Sequence, residues 1–370
     1  MKILHCIPGM GGGGAERQLA YLAGPLGACG WDVHVALGTG GPNLQRLEAG
    51  GAAVYWLAGA GNHDPRLAWQ LGRIFRRVRP DLVQVWFVQM EVLAGGVSEL
   101  LGVPWVISER SSLLAYPPSI KNRLRVAIAR TADAIVSNSS AGDSYWDSRV
   151  SRRVRRFVIP NALPLDEIDG TSAAVPDGLP IDPGDSVVLF AGRFGPEKNV
   201  ERLLRALREI VTRPRTVAVL CGEGPLRADL QRTIAADKLD DRILTPGYVA
   251  DIWPLMKRAD VMVATSLFEG RPNSVLEAMA CNLPLIVSDI PAHREILDER
   301  SACWVDPADA GALAEAVLEL LEDRFVARQR AAAARSRAAA WSVPAVAAQY
   351  DRVYREVLGD HRTPRTLQRA

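Results

Sequence analysis

Short apolar runs alternate with segments of helical period along almost the whole chain. The runs fall at 2–7, 32–37, 53–57, 82–87, 105–108, 134–137 and 157–159, with helical stretches at 15–26, 65–79, 91–101 and 120–132 between them. A strand that reads as continuously apolar is buried on both faces. A helix between two such strands makes the crossover of a parallel sheet. A Pro-, Gly- and Asp-rich stretch of weak periodicity, 166–185, then interrupts the pattern and reads as an interdomain linker. The alternation restarts, with strands at 186–190, 217–221, 261–265, 285–288 and 302–305 and helices at 200–211, 226–236, 274–281 and 309–322. At 370 residues the chain is long for one core. The expectation is α/β: two tandem Rossmann-like doubly wound domains, over 1–163 and 164–342. An Ala- and Arg-rich stretch at 331–340 is helical by propensity. Residues 343–358 read as a last amphipathic helix and 361–370 as a frayed tail.

Chemistry concentrates in one strand-turn-helix segment, Ser266-Leu267-Phe268-Glu269-Gly270-Arg271-Pro272-Asn273-Ser274-Val275-Leu276-Glu277. Glu269 follows an apolar strand, and Glu277 lies within a helix expected to start near Ser274, with Asn273 and Ser274 as candidate caps. A helix N-terminus after a strand attracts anions through its unpaired N–H groups and its dipole. Two carboxylates beside such a site suit hydroxyl donors such as a sugar or a ribose. The segment therefore points to a nucleotide-sugar pocket. Arg193 and Lys198, five apart on a loop that enters a helix, can straddle a diphosphate, or they can be a solvated charge pair.

The segment resembles the Glu-x7-Glu signature of the retaining GT-B glycosyltransferases of the glycosyltransferase family four-like type. Three further stretches are similar to that family's motifs: Phe190-Ala191-Gly192-Arg193-Phe194-Gly195-Pro196-Glu197-Lys198-Asn199, Gly222-Glu223-Gly224-Pro225-Leu226, and Gly11-Gly12-Gly13-Gly14-Ala15-Glu16-Arg17. The resemblance covers about residues 1 to 358. It implies a GT-B fold, two domains facing across a cleft, with the last helix crossing back to the first domain. It implies a donor-binding second half and an acceptor-binding first half. Glu269 would orient the hexose hydroxyls and Glu277 would hold the ribose. Arg193 and Lys198 would stabilise the leaving diphosphate. Gly270, Arg271, Pro272, Asn273, Ser274 and Val275 would line the phosphates, with backbone N–H groups from Arg271, Asn273, Ser274 and Val275. Tyr248 and Val249, in Thr245-Pro246-Gly247-Tyr248-Val249, would meet the nucleobase through their backbone, unless this stretch is only a strand end. Glu223 would contact the donor or cap the next helix. Gly13 and Gly14 would lie near the donor phosphates.

Two departures matter. Where many relatives carry a histidine, this chain reads Glu109-Arg110-Ser111-Ser112. Glu109 could accept the acceptor hydroxyl's proton and Arg110 could face the diphosphate. His5 reads as a core residue, while His63 and His293 are isolated candidates. Second, Gly9-Met10-Gly11-Gly12-Gly13-Gly14 also fits a dinucleotide fingerprint, but the second strand ends Leu37-Gly38-Thr39 without the acid that would hold a ribose. A nicotinamide-dependent oxidoreductase and a catalytically idle GT-B partner subunit stand as alternatives.

No Asp-x-Asp occurs, so metal-independent transfer is expected, with Arg193 and Lys198 in place of a divalent ion. No cofactor is expected, because the nucleotide sugar, with UDP favoured over GDP, is a substrate. The acceptor is expected to be a hydroxyl compound, open between a polyprenyl-linked oligosaccharide, a lipid, a polysaccharide precursor and a small molecule, with a lipid-linked or polysaccharide precursor favoured. The net charge of +2 carries no polyanion signal, yet Arg and Lys cluster at 73–79, 121–130 and 152–156. Without interleaved aromatics these clusters do not suit nucleic acid. The Lys121–Arg130 stretch, with Arg123 and Arg125 among Ile, Leu and Val, reads as a helix that meets an anionic membrane surface, or as a solvated face. Five scattered cysteines without a C-x-x-C pair read as reduced thiols. With no apolar stretch long enough to span a bilayer, the expected location is cytoplasmic, peripheral at the membrane's inner face.

Overall fold

The computed structural model describes residues 1–59, 64, 66–111, 116 and 119–362, with side chains through 359. His63 lies outside the described residues. The chain divides into two compact units, Met1–Ala162 with the C-terminal segment from Trp341, and Leu163–Ala340.

In the first unit the order is β1 (Lys2–Cys6), α1 (Gly14–Ala28), β2 (Asp32–Leu37), α2 (Leu44–Ala49), β3 (Ala53–Trp56), α3 (Arg66–Val78), β4 (Leu82–Trp86), α4 (Phe87–Leu101), β5 (Trp105–Glu109), α5 (Ile120–Ala129), β6 (Ala134–Ser137), α6 (Ser140–Ser144) and β7 (Arg155–Val158). The described strands form one parallel sheet ordered β3-β2-β1-β4-β5-β6-β7. Chain order reverses beside β1, which is the switch point where open α/β sheets leave a crevice at their C-terminal ends. Residue 87 was expected to end a strand. It begins α4 instead, with φ of 67°. That is an uncommon conformation for a residue with a side chain.

The second unit runs α7 (Leu165–Gly170), β8 (Ser186–Ala191), α8 (Val200–Ile210), β9 (Thr216–Cys221), α9 (Arg227–Ala236), β10 (Ile243–Gly247), α10 (Trp253–Arg258), β11 (Val261–Ala264), α11 (Asn273–Ala280), β12 (Leu285–Ser288), α12 (Pro291–Arg294), β13 (Cys303–Val305), α13 (Ala310–Glu322) and α14 (Arg324–Ala338). Its parallel sheet is ordered β10-β9-β8-β11-β12-β13, with the switch point between β8 and β11. Four features differ from the sequence reading. β10 is a strand, and its Pro246 is tolerated because β10 is at the sheet edge. α14 starts before the expected 331, because Asp323 caps it by accepting from Phe325 N (3.1 Å) and Val326 N (3.0 Å). α11 starts at Asn273 behind Pro272, so Asn273 and Ser274 form its first turn rather than its cap. The expected linker carries α7, whose Ile168 is buried, and its Ala174 N–H donates to Pro254 O (3.0 Å) within the second unit.

The last helix, α15 (Val343–Arg362), belongs to the first unit and packs on α1. Val346, Tyr350, Val353, Tyr354 and Val357 enter that unit's core, each contributing roughly 1.5–3 kcal/mol by burial. Trp31 Nε1 donates to Asp351 Oδ1 (2.8 Å), and Trp31 and Tyr354 meet edge to face.

Candidate active site

In the second unit the loops after β8, β9, β10 and β11 are tied together by backbone hydrogen bonds. Gly192 N–H donates to Cys221 O (3.0 Å), Phe194 N–H to Glu223 O (2.8 Å), Gly222 N–H to Gly247 O (2.8 Å) and Leu267 N–H to Glu197 O (2.8 Å). The approach is close enough to require glycine. A Cβ on Gly222 would stand 1.8 Å from Gly192 O, and Gly222 has φ of 155°. The two glycine motifs are thus one packed structure, which holds the side chains beside the switch point rigidly.

Lys198 reaches this crevice from a 3-10 turn, Pro196–Lys198, and Glu269 from the loop after β11. Lys198 Nζ donates to Glu269 Oε1, and Ser266 Oγ donates to the same oxygen at 2.7 Å. Both side chains are mostly buried, at 16% and 13% exposure. Burial pushes the Glu269 carboxyl up, but Lys198 and then the Ser266 hydroxyl outweigh it, and the pKa lies below the usual carboxylate value. Oε2 of Glu269 makes no hydrogen bond among the described residues. Arg193 is exposed on the loop after β8, with no ion-pair partner among the described residues. Among the described residues the site thus presents one paired cation, a second cation without an ion-pair partner and one open carboxylate oxygen.

The other second-unit candidates take varied settings. Gly270, Arg271, Pro272 and Val275 are buried, and Asn273 and Ser274 are half-buried in the first turn of α11. The Arg271 guanidinium turns inward to Glu295 (3.2 Å), and burial pulls its pKa down to about 10 against that partner. Glu277 is 3% exposed within α11. Glu223 pairs with Arg227, the first residue of the following helix. Tyr248 is 46% exposed just past β10, and Val249 is half-buried. Sequence reasoning missed Glu295 as the partner of Arg271, 24 positions away, and nothing local signals it.

The first unit contains Gly13, Gly14, Glu109 and Arg110. Gly13 caps α1 and Gly14 opens it. The Glu16 carboxylate folds back on this loop, so that a Cβ on Gly13 would meet Glu16 Oε2 at 2.5 Å. An acid at that helix start repels the pyrophosphate that a dinucleotide would bring there.

Glu109 does not fit the role of acceptor base. It is fully buried, and its oxygens accept from Arg125 Nη2 (2.6 Å), Tyr116 OH (2.6 Å) and Ser111 N (3.0 Å). Arg125 also binds Glu91 on α4, through Nε at 2.5 Å and Nη2 at 3.1 Å. The rings of Tyr116, Tyr145 and Trp146 surround it at 4.0, 5.1 and 4.7 Å. Burial pushes the Glu91 carboxyl up in spite of Arg125. Arg125 is therefore a core residue, which corrects its assignment to a membrane-facing stripe. Arg110 is half-buried and does not stand free to face a diphosphate. It stacks on Trp86 (4.6 Å) and donates to Ser108 Oγ (2.8 Å), Asn161 Oδ1 (3.1 Å) and Tyr350 OH (2.5 Å), buttressing α15. His5 is core, as expected, and accepts from Trp86 Nε1 at 3.2 Å.

No helix among the described residues is long and apolar enough to cross a membrane. Cys6, Cys221 and Cys281 are buried thiols, and Cys29 and Cys303 are partly exposed.

The model of the family "Glycosyl transferases group 1" matches residues 173–341, and that of the "Glycosyl transferase 4-like domain" matches residues 13–162. The chain is 28% identical over 287 residues to the alpha-D-kanosaminyltransferase of Streptomyces kanamyceticus, covering 70% of this chain and 72% of that protein. It is 30% identical over 180 residues to the UDP-Gal:alpha-D-GlcNAc-diphosphoundecaprenol alpha-1,3-galactosyltransferase of Escherichia coli, covering 46% of each. Among solved structures, Anabaena HepE in complex with UDP-glucose superposes with a TM-score of 0.83 at 21% identity, covering 96% of this chain and 100% of that one. Sucrose-phosphate synthase from Thermosynechococcus elongatus superposes with a TM-score of 0.78 at 23% identity, covering 97% and 100%.

Proposed function

Because the chain belongs to the group 1 glycosyl transferases, with a 4-like first half and the GT-B fold, we propose that it transfers a hexose or N-acetylhexosamine from a nucleotide sugar to a hydroxyl acceptor, with retention of configuration. UDP is the favoured nucleotide, a reading supported by the UDP-linked names among the similar proteins. The observation that carries the proposal is the meeting of Lys198 and Glu269 at the β8–β11 switch point, with Arg193 on the same loop as Lys198.

In this reading Arg193 and Lys198 neutralise the diphosphate as the glycosidic C–O bond breaks, and Glu269 Oε2 accepts a hydroxyl hydrogen bond from the hexose. Glu277 accepts from the ribose. Gly270 to Val275 line the phosphates, Tyr248 and Val249 flank the base, and Glu223 rims the pocket. The acceptor oxygen attacks on the face that the diphosphate leaves, and its proton passes to the departing phosphate oxygen. No metal enters this scheme. With Glu109 sequestered in the core, no side-chain base is assigned.

The acceptor is read as lipid-linked, at an anionic membrane face. The relevant surface is narrower than the sequence suggests. Lys121 and Arg123 of α5 are exposed beside Ile120 (78% exposed) and Leu124 (55%). Charge and apolar side chains presented together suit an interface. A thermal-shift screen of nucleotide sugars tests the donor reading, since a bound donor raises the melting temperature by mass action. NMR of the product with the responding donor tests retention. No response to any nucleotide sugar would overturn the proposal.

A further inference from the structure

A fully buried histidine lies on the far side of the Lys198–Glu269 pair and is used in no step above. His293 is in α12, the turn after β12, and is 0% exposed. Its Nδ1 lies 2.8 Å from Ser288 O. A backbone carbonyl only accepts, so Nδ1 carries the proton and donates it. Ser288 Oγ donates to Ser266 O at 2.5 Å, fastening the end of β12 to the loop after β11. Ser266 Oγ then donates to Glu269 Oε1, the oxygen already held by Lys198. Thr265 Oγ1 donates to Lys198 O (2.8 Å), so the loops of both partners are secured from the same strand end. Burial keeps the imidazole pKa below its ordinary value, against the Ser288 carbonyl and Glu269. The neutral ring therefore adds no charge beside the Lys198–Glu269 pair.

We infer that His293 is a positioning residue for donor-sugar recognition: through Ser288 and Ser266 it holds Oε1 of Glu269 against Lys198, so that Oε2 alone is presented to a sugar hydroxyl. This rests on the reading of Glu269 as the sugar-binding carboxylate. The consequence is specific. Loosening the chain should weaken recognition of the hexose and leave the nucleoside diphosphate untouched, because UDP has no hexose to place.

Two substitutions separate the ring nitrogens. In His293→Asn the amide N–H₂ can replace Nδ1–H toward Ser288, whereas in His293→Gln the amide reaches the position of Nε2 and the bond to Ser288 is lost. UDP and UDP-glucose binding are measured by calorimetry, with melting temperature and the KM and kcat of UDP-glucose turnover alongside. The expected result is that His293→Asn behaves as wild type. His293→Gln should bind UDP normally but lose about tenfold in UDP-glucose affinity and in KM, the size of one lost well-ordered hydrogen bond. Wild-type behaviour of both variants would overturn the inference. So would a parallel loss of UDP and UDP-glucose binding with a lowered melting temperature, which is the mark of a merely structural residue. A defect in His293→Asn that His293→Gln lacks would do the same, by assigning the role to Nε2. Wild-type protein that binds neither UDP nor UDP-glucose would remove the UDP-sugar reading on which the inference is tested, before any variant is compared, and no response to any nucleotide sugar would remove the glycosyltransfer reading itself.

Discussion

Arg125→Ala should be among the most damaging single substitutions in the first unit, although Arg125 stands in a stretch that reads as a solvent-facing basic helix. The side chain is completely buried, and it is the cation that joins Glu91 to Glu109, themselves 1% and 0% exposed. Removing one partner of a buried ion pair costs about 3–5 kcal/mol, because the remaining charge is left desolvated. Here two carboxylates are stranded at once. Lost contacts to the Tyr116, Tyr145 and Trp146 faces add about 1–2 kcal/mol. At roughly 2–4 °C per kcal/mol for a unit of this size, the melting temperature of the first unit should fall by about 10–20 °C. The pH dependence provides a second check. Burial already pushes the Glu91 carboxyl up, and the variant removes the cation that opposes it, so the fold takes up this proton at a pH where the unfolded chain does not and gains stability as pH falls. The gap to wild type should therefore narrow as pH falls from neutral toward the ordinary carboxylate range. Combining Arg125→Met with Glu91→Gln and Glu109→Gln should recover most of the loss, since neutral groups carry no stranded charge. Calorimetry resolves the transitions of the two units. A fall of less than about 3 °C, or a gap that does not change with pH, would refute the reasoning.

Glu277→Ala should weaken binding of UDP and of the nucleotide sugar alike, whereas Glu269→Ala should spare UDP binding and abolish turnover; calorimetry with both ligands separates the two, and full activity in either variant removes the assignment. Arg193→Ala should cost about 2–4 kcal/mol of transition-state stabilisation, and wild-type turnover should persist in EDTA; loss in EDTA with recovery on adding Mg²⁺ would count against the metal-free scheme. Burial pulls the pKa of His5 down to about 3, so below its ordinary value of 6.5 the unfolded chain binds a proton that the fold does not, and stability is lost as pH falls from about 6.5 toward about 3; an uncharged His5→Asn variant, whose amide oxygen can take the place of Nδ1 toward Trp86, should show a shallower acid melting profile. Flotation should show binding to anionic vesicles at low salt that is lost at high salt and in Lys121→Glu/Arg123→Glu, while neutral vesicles stay unbound; equal behaviour toward both vesicle types would leave α5 as an ordinary solvated face.

What the sequence determined by itself was the architecture. Strand and helix periodicity are local properties, and a four-residue run such as Val261-Met262-Val263-Ala264, too short for a helix and with no polar face, reads as a strand covered on both sides. The glycine loops were legible for the same reason, because the closeness of two backbones is imposed by the absence of a side chain. Lys198 and Glu269 could be named in advance, since each follows a strand within a recognisable turn. Errors in the elements arose where a local signal was weak or a neighbour overrode it: β10 is short and ends in Pro246-Gly247, and Asp323 started α14 ahead of its alanine-rich stretch.

The fate of individual charges was decided only by the tertiary structure. Arg123 and Arg125 are two positions apart on one helix, yet one meets solvent and the other fills the core. What separates them is the face that α5 turns toward the sheet and the two acids waiting there, 34 and 16 positions away in the chain. Glu109 passed from candidate base to buried anchor for the same reason. The link from His293 to Glu269 likewise exists only because parallel pairing sets the ends of β11 and β12 side by side. Backbone conformation follows from neighbours in sequence. The state and use of a charge follow from neighbours in space, because desolvation and Coulomb forces act across distances that the order of residues does not encode.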